Sequence, residues 1–157
     1  TNRFFNPGLA GGALWDIGVY ALSFIRWFMS CCPDRTASQV RYAPSGVDEQ
    51  VGILLMNEAG EMATAGLTLH AKQPKRGMAA FEKGFLEISE YPRADRAVIT
   101  WTEDGRRETL ELGSSADALR YEIRDMEAAV SGGADEMHLD YSADVSRLMT
   151  EIWKVWR

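Results

Sequence analysis

Leu9-Ala10-Gly11-Gly12-Ala13-Leu14-Trp15-Asp16-Ile17-Gly18-Val19-Tyr20 is the stretch that orders the rest of the chain. It is preceded by Asn6-Pro7-Gly8, a turn in which proline fixes φ and glycine accepts unusual φ. After the glycines the pattern is helical. Asp16 and Tyr20 are four apart, so on a helix they share a face, and Gly12 falls one turn further back. A glycine there leaves room for something to approach the backbone. Asp16 is a carboxylate among apolar residues, which is costly unless it is paired or faces a cavity. A carboxylate and a phenol facing a cavity can bind and deprotonate a sugar hydroxyl. Plainer roles stay open at this point. An early helical Asp stabilises the positive dipole end, and a Tyr on a buried helix is often core with a satisfied hydroxyl.

Working outward, residues 13–30 predict one helix, with Leu14, Ile17, Val19, Leu22, Phe24, Ile25, Trp27, Phe28 and Met29 covering most of its circumference. Such a helix is expected to be sandwiched between other elements. The run 17–29 is broken by Ser23 and Arg26 and is shorter than the about 20 residues a membrane span needs. Pro33-Asp34 stops it. From 38 to 112 the texture is that of strands: 38–43, the apolar run 51–56, the alternating 62–71, 77–83 and 85–89 around Gly84, then 97–102 and 107–112. Asn57-Glu58-Ala59-Gly60 and Asp104-Gly105 are hairpin signals, which argues for mostly antiparallel pairing. Ser114 and Asp117 have capping-box spacing. Leu119, Ile123, Met126 and Val130 then recur at helical spacing until Gly132-Gly133. A last helix, capped by Asp140 or Ser142, carries Val145, Leu148, Met149, Ile152 and Val155 on one face. The expectation is an α+β domain over 1–157: an open, mostly antiparallel sheet of about six strands with helices packed on one face. There is no internal repeat, low-complexity segment or linker.

The chain's 157 residues suit one domain with a sizeable core, and its net charge of −6 argues against a nucleic-acid partner. Cys31 and Cys32 are adjacent and cannot close a long loop; they read as reduced thiols of a cytoplasmic protein, with no metal site expected. The first residues carry no signal-peptide pattern and no initiating Met, which suggests a piece of a longer protein. Arg3 precedes the motif and reads as a surface arginine within reach of the pocket mouth. His70 reads as a sheet-face histidine, His138 as a solvated loop residue, and Lys72-Gln73-Pro74-Lys75-Arg76 as a solvated loop. Trp153 and Trp156 read as core closure or a partner surface.

The glycines, Asp16 and Tyr20 together resemble the signature that opens the C-terminal domain of the Gfo/Idh/MocA oxidoreductases: Leu-Gly-Gly-Gly, three residues, then Asp-x-Gly-x-His or Asp-x-Gly-x-Tyr. The tyrosine form resembles the branch with glucose-fructose oxidoreductase, dimeric dihydrodiol dehydrogenase and xylose dehydrogenases. The resemblance implies a preceding Rossmann domain that holds NAD or NADP and a Glu-Lys-Pro lysine. It also implies a substrate pocket on this domain for a sugar, polyol or related small molecule, and a homo-oligomer through the open sheet face. By this likeness Tyr20 matches the acid/base position and Asp16 the substrate-binding carboxylate. Gly11 and Gly12 match the turn beside the nicotinamide pocket. Two departures stand out. Ala10 replaces a usual glycine, a mild change if its backbone is not left-handed. No Gly-x-Gly-x-x-Gly and no Glu-Lys-Pro occur here. A free phenol ionises near pH ~10 and is a poor base without a nearby cation. The isolated chain is therefore expected to hold no dinucleotide tightly and to be inactive. The competing expectation is a non-catalytic module for sheet-mediated dimerisation or sugar binding.

Overall fold

The computed structural model describes residues 2–133 and 137–156. The chain divides into two compact units, one formed by Thr1–Gln73 with Asp140–Arg157 and the other by Pro74–Leu139. The class is α+β, and every strand pair among the described residues is antiparallel. The strands fall into two sheets, of three and four strands.

In the first unit, β1 (Arg35–Tyr42), β2 (Asp48–Met56) and β3 (Met62–Thr68) form a meander with β2 in the centre. Alternation along β2 sends Val51, Ile53 and Leu55 to the buried face and Gly52 and Leu54 to the other. The buried face meets Leu14 and Leu22 of the first helical segment, and Val145, Met149 and Ile152 of the last helix. Each such side chain contributes roughly 1.5–3 kcal/mol when fully buried. Asn57 secures the β2–β3 turn: its Oδ1 accepts from Glu61 N at 2.9 Å and its amide donates to Glu61 Oε2 at 2.6 Å. Gly60 supplies the positive φ of 80°.

The first helical segment begins as a π turn over Leu14–Gly18 and continues as α1 (Val19–Phe28). Only one side of it is covered. Leu14 and Leu22 are fully buried, while Trp15, Tyr20 and Trp27 are 37%, 50% and 56% exposed. Trp15 and Trp27 meet Trp153 and Tyr141 edge-on, with ring centroids 6.1 and 5.9 Å apart, while Tyr20 stays half exposed. By length and composition alone the run Pro7–Phe28, with mean hydropathy 1.4, is apolar enough to cross a membrane. Its φ of 53° at Ala10 and 127° at Gly12, its packing on β2 and its buried arginine describe the core helix of a folded unit instead.

That arginine joins α1 to α3 (Leu139–Lys154). Arg26 Nε donates to Asp144 Oδ2 at 2.8 Å, Nη1 donates to the Met29 carbonyl at 3.0 Å, and the guanidinium lies 3.9 Å over the Tyr141 ring. Burial works against both charges. The hydrogen bond and charge each partner offers the other outweigh it, so the Asp144 carboxyl sits below the usual range and Arg26 above its own. Val155, expected on the buried face of α3, lies past its end and is exposed.

The second unit is a meander of β4 (Arg76–Phe81), β5 (Gly84–Ser89), β6 (Arg96–Trp101) and β7 (Arg107–Glu111), followed by α2 (Ala118–Val130). The segment around Gly84 is a strand pair with Phe81 opposite Gly84, and a Cβ on Gly84 would strike the Thr100 carbonyl. Asp104 Oδ1 accepts from Arg106 N at 2.9 Å beside Gly105, the hairpin its sequence signals. The expected capping box is not formed. Ser114 makes no side-chain cap bond, a 3-10 turn over Ser115–Asp117 intervenes, and Ser115 N donates to Asp95 Oδ2 instead. Leu119, Ile123, Met126 and Val130 line one side of α2 and are each more than half exposed.

Candidate functional site

The chain reaches the Asp16–Tyr20 helix through two capped 3-10 turns. Asn2 Oδ1 accepts from Phe4 N at 3.1 Å, and Asn6 Oδ1 accepts from Gly8 N at 2.9 Å. Ala10 then turns left-handed, at φ 53° and ψ 38°. This corrects the expectation for that position: the alanine stands in a conformation that favours glycine and costs an L-residue roughly 1–2 kcal/mol. The following backbone folds back on its own start, with Gly11 N donating to the Asn6 carbonyl at 3.0 Å and Gly12 N to the Phe4 carbonyl at 2.9 Å.

Both glycines have a local cause. A Cβ on Gly11 would lie 2.6 Å from the carbonyl oxygens of Arg3 and Phe4. Gly12 has φ 127°, and a Cβ there would fall on Asp48 Oδ1. The group that approaches this backbone is therefore the chain itself. Gly12 precedes the helix and is not one of its turns.

Asp48 begins β2 and is buried. Its Oδ2 accepts from Leu14 N at 2.6 Å. Burial pushes its pKa up despite this donor. Next to it, the buried Glu49 meets His70 Nδ1 at 3.0 Å and Arg41 Nε at 3.7 Å. His70 lies just past the end of β3 and not on the strand.

Asp16 is on the π turn with its side chain 13% exposed, and Arg3 Nη2 donates to its Oδ1 at 2.6 Å. The Arg3 guanidinium also lies 4.8 Å over the Phe4 ring. Arg3 is exposed, as expected of a surface residue, and is also the partner that a carboxylate in an apolar helix requires. Tyr20 follows on α1, half exposed. An i→i+5 turn returns to the same face after four to five residues, so Asp16 and Tyr20 stay on one side; such turns are frequent at functional sites. Arg3 and Asp48 are the residues that sequence alone did not assign to this site.

Residues 1–87 match the family description GFO/IDH/MocA C-terminal domain. The chain belongs to that family. It is 28% identical over 154 residues to D-xylose 1-dehydrogenase (NADP(+)) 2 of Haloferax volcanii, covering 95% of this chain and 47% of that protein. It is 29% identical over 98 residues to trans-1,2-dihydrobenzene-1,2-diol dehydrogenase of Xenopus laevis, covering 62% of this chain and 30% of that one. The chain thus spans about half the length, or less, of these relatives. Among solved structures its fold is similar to KijD10, a 3-ketoreductase of Actinomadura kijaniata in complex with NADP and TDP-benzene. The TM-score is 0.76 at 18% identity, over 98% of this chain and 48% of that one.

A Cβ on Gly11 or Gly12 would meet the chain's own carbonyl oxygens or Asp48.

Proposed function

We propose that this chain is the substrate-side half of an NADP- or NAD-dependent oxidoreductase that acts on a CH–OH group of a sugar, polyol or related small molecule. The observation that carries the reading is the open helix face on which Tyr20 stands one turn from an Arg3-paired Asp16. The two dehydrogenases matched above, one named for NADP, support the reaction class. Tyr20, ionised beside a cation that the dinucleotide-binding domain would supply, takes the proton of the reacting hydroxyl. Asp16 Oδ1 is engaged by Arg3, which leaves Oδ2 to accept from a neighbouring hydroxyl. Gly11 and Gly12 bring the helix start close to the nicotinamide, which a dinucleotide-binding domain outside these residues holds. The unit of function is the whole of 1–157, and the compartment is the reducing cytoplasm, which the free Cys31 and Cys32 suit.

The test compares this chain alone with the chain joined to a dinucleotide-binding half, from its own reading frame or from a relative. D-Xylose and NADP+ are supplied with a polyol panel, and NADPH formation is followed. Turnover is expected only in the joined protein. Steady turnover by the chain alone, or none in a joined protein that folds and binds NADP+, overturns the reading.

The same reading includes a homo-oligomer through the open face of the β1–β3 sheet. Gly52 stands opposite Gly66 in the centre of that face, and Leu54 and Met62 on it are 40% and 59% exposed. A flat strip with apolar flanks suits sheet-on-sheet contact. Sedimentation at micromolar concentration is expected to show a dimer; monomer alone would count against it.

A further inference from the structure

We propose that Asp48 is a positioning residue: its buried carboxylate sets the start of the helical segment that presents Asp16 and Tyr20. The inference rests on the reading of that face given above. A helix start leaves N–H groups without intrahelical partners, and neighbouring side chains usually take them. Here Ala13 precedes the π turn with no side-chain cap bond. The acceptor comes instead from 34 residues away in sequence: Asp48 Oδ2 takes Leu14 N at 2.6 Å.

The geometry is built for this. Gly12, at φ 127°, leaves the space that Asp48 Oδ1 occupies. A negative group at the positive helix end is also favoured electrostatically. The carboxylate has a firm base, because β2 is paired on both edges, Asp48 opposite Tyr42 and Gln50 opposite Thr68. The core strand and the reactive helix are thus fastened at one point, two residues before Asp16. Without it the first turn is free to shift on the sheet, and a misplacement of about 1 Å can cost roughly 10²-fold in rate.

The experiment follows amide hydrogen exchange in this chain for Asp48→Ala and Asp48→Asn. Asp48→Ala is expected to raise exchange over residues 13–20 by about tenfold or more, with Ile53 and Ala65 in the sheet centre unchanged. Asp48→Asn keeps one acceptor oxygen and is expected to recover most of the protection. Unchanged exchange over 13–20, or a rise spread evenly over β2, β3 and α3, overturns the proposal. If Asp48→Ala does not fold, Asp48→Ser, whose shorter side chain withdraws the acceptor from Leu14 N, takes its place: a rise confined to 13–20 supports the proposal, and an even or absent rise overturns it. In the joined protein, Asp48→Ala is expected to lower kcat with KM nearly constant and Asp48→Asn to recover most of it, and a rise in KM alone counts against positioning. Tyr20→Phe separates the two ideas. If it leaves turnover intact, the reading of the face fails while the exchange result still reports whether Asp48 holds the helix start.

Discussion

Tyr20→Phe is expected to lower kcat of the joined protein by about 10²–10⁴-fold, the usual contribution of one general acid or base. The substitution removes one oxygen and keeps the ring. Tyr20 is half exposed, so the fold loses little, and stability is expected to stay within about 0.5 kcal/mol. KM is expected to hold, because the proposed reading assigns hydroxyl binding to Asp16, which Arg3 pairs. Asp16→Asn gives the contrast: it breaks the 2.6 Å charge pair with Arg3 and moves KM as well as kcat. Equal and modest effects of both substitutions would mean that the face binds substrate without moving a proton. Steady-state kinetics with D-xylose and NADP+ make the measurement.

The parts legible in the sequence are those written in short-range patterns. The strand texture from 38 to 112 covers the seven strands of the described residues, where about six were expected because the segment around Gly84 read equally as a pair or one bent strand; β1 and β2 each begin three residues earlier, at Arg35 and Asp48. The Asn57–Gly60 and Asp104-Gly105 turns were legible because their backbone needs are local. The division into two sheets was not, since the connection between β3 and β4, residues 69–75, reads as a solvated loop with one proline and nothing that ends a sheet. Asp16 and Tyr20 were legible from spacing together with the glycine turn. Arg3 and Asp48 were not, because what matters about them is a long-range contact. Arg3 is 13 residues from Asp16, and Asp48 is 34 from Leu14. One signal was available. Asp48-Glu49 places two carboxylates one residue before the apolar run Val51–Met56, where acids are costly unless something binds them. Ala10 shows the opposite case. Only the coordinates reveal that an alanine holds a left-handed position there.

Gly12→Ala is expected to be among the most damaging single changes in this unit, at about 4 kcal/mol of unfolding free energy. Two effects combine. A φ of 127° lies where L-residues are strained, at roughly 1–3 kcal/mol. The new methyl also lands on Asp48 Oδ1, and overpacking a buried site costs typically 1–3 kcal/mol. The carboxylate has little room to retreat, because it is buried and is held by the Leu14 amide. Urea unfolding of the variant makes the measurement, with loss of the folded baseline as the extreme result. The double variant Gly12→Ala/Asp48→Ala is expected to be less destabilised than the sum of its parts, since deleting the carboxylate removes the collision and leaves only the backbone strain. Strict additivity would mean that the glycine is required for its backbone angle alone. A loss below about 1 kcal/mol in the single variant would mean that the helix start can move away from β2 at small cost. In that case the site face would not be held as rigidly as the contact between Gly12 and Asp48 implies.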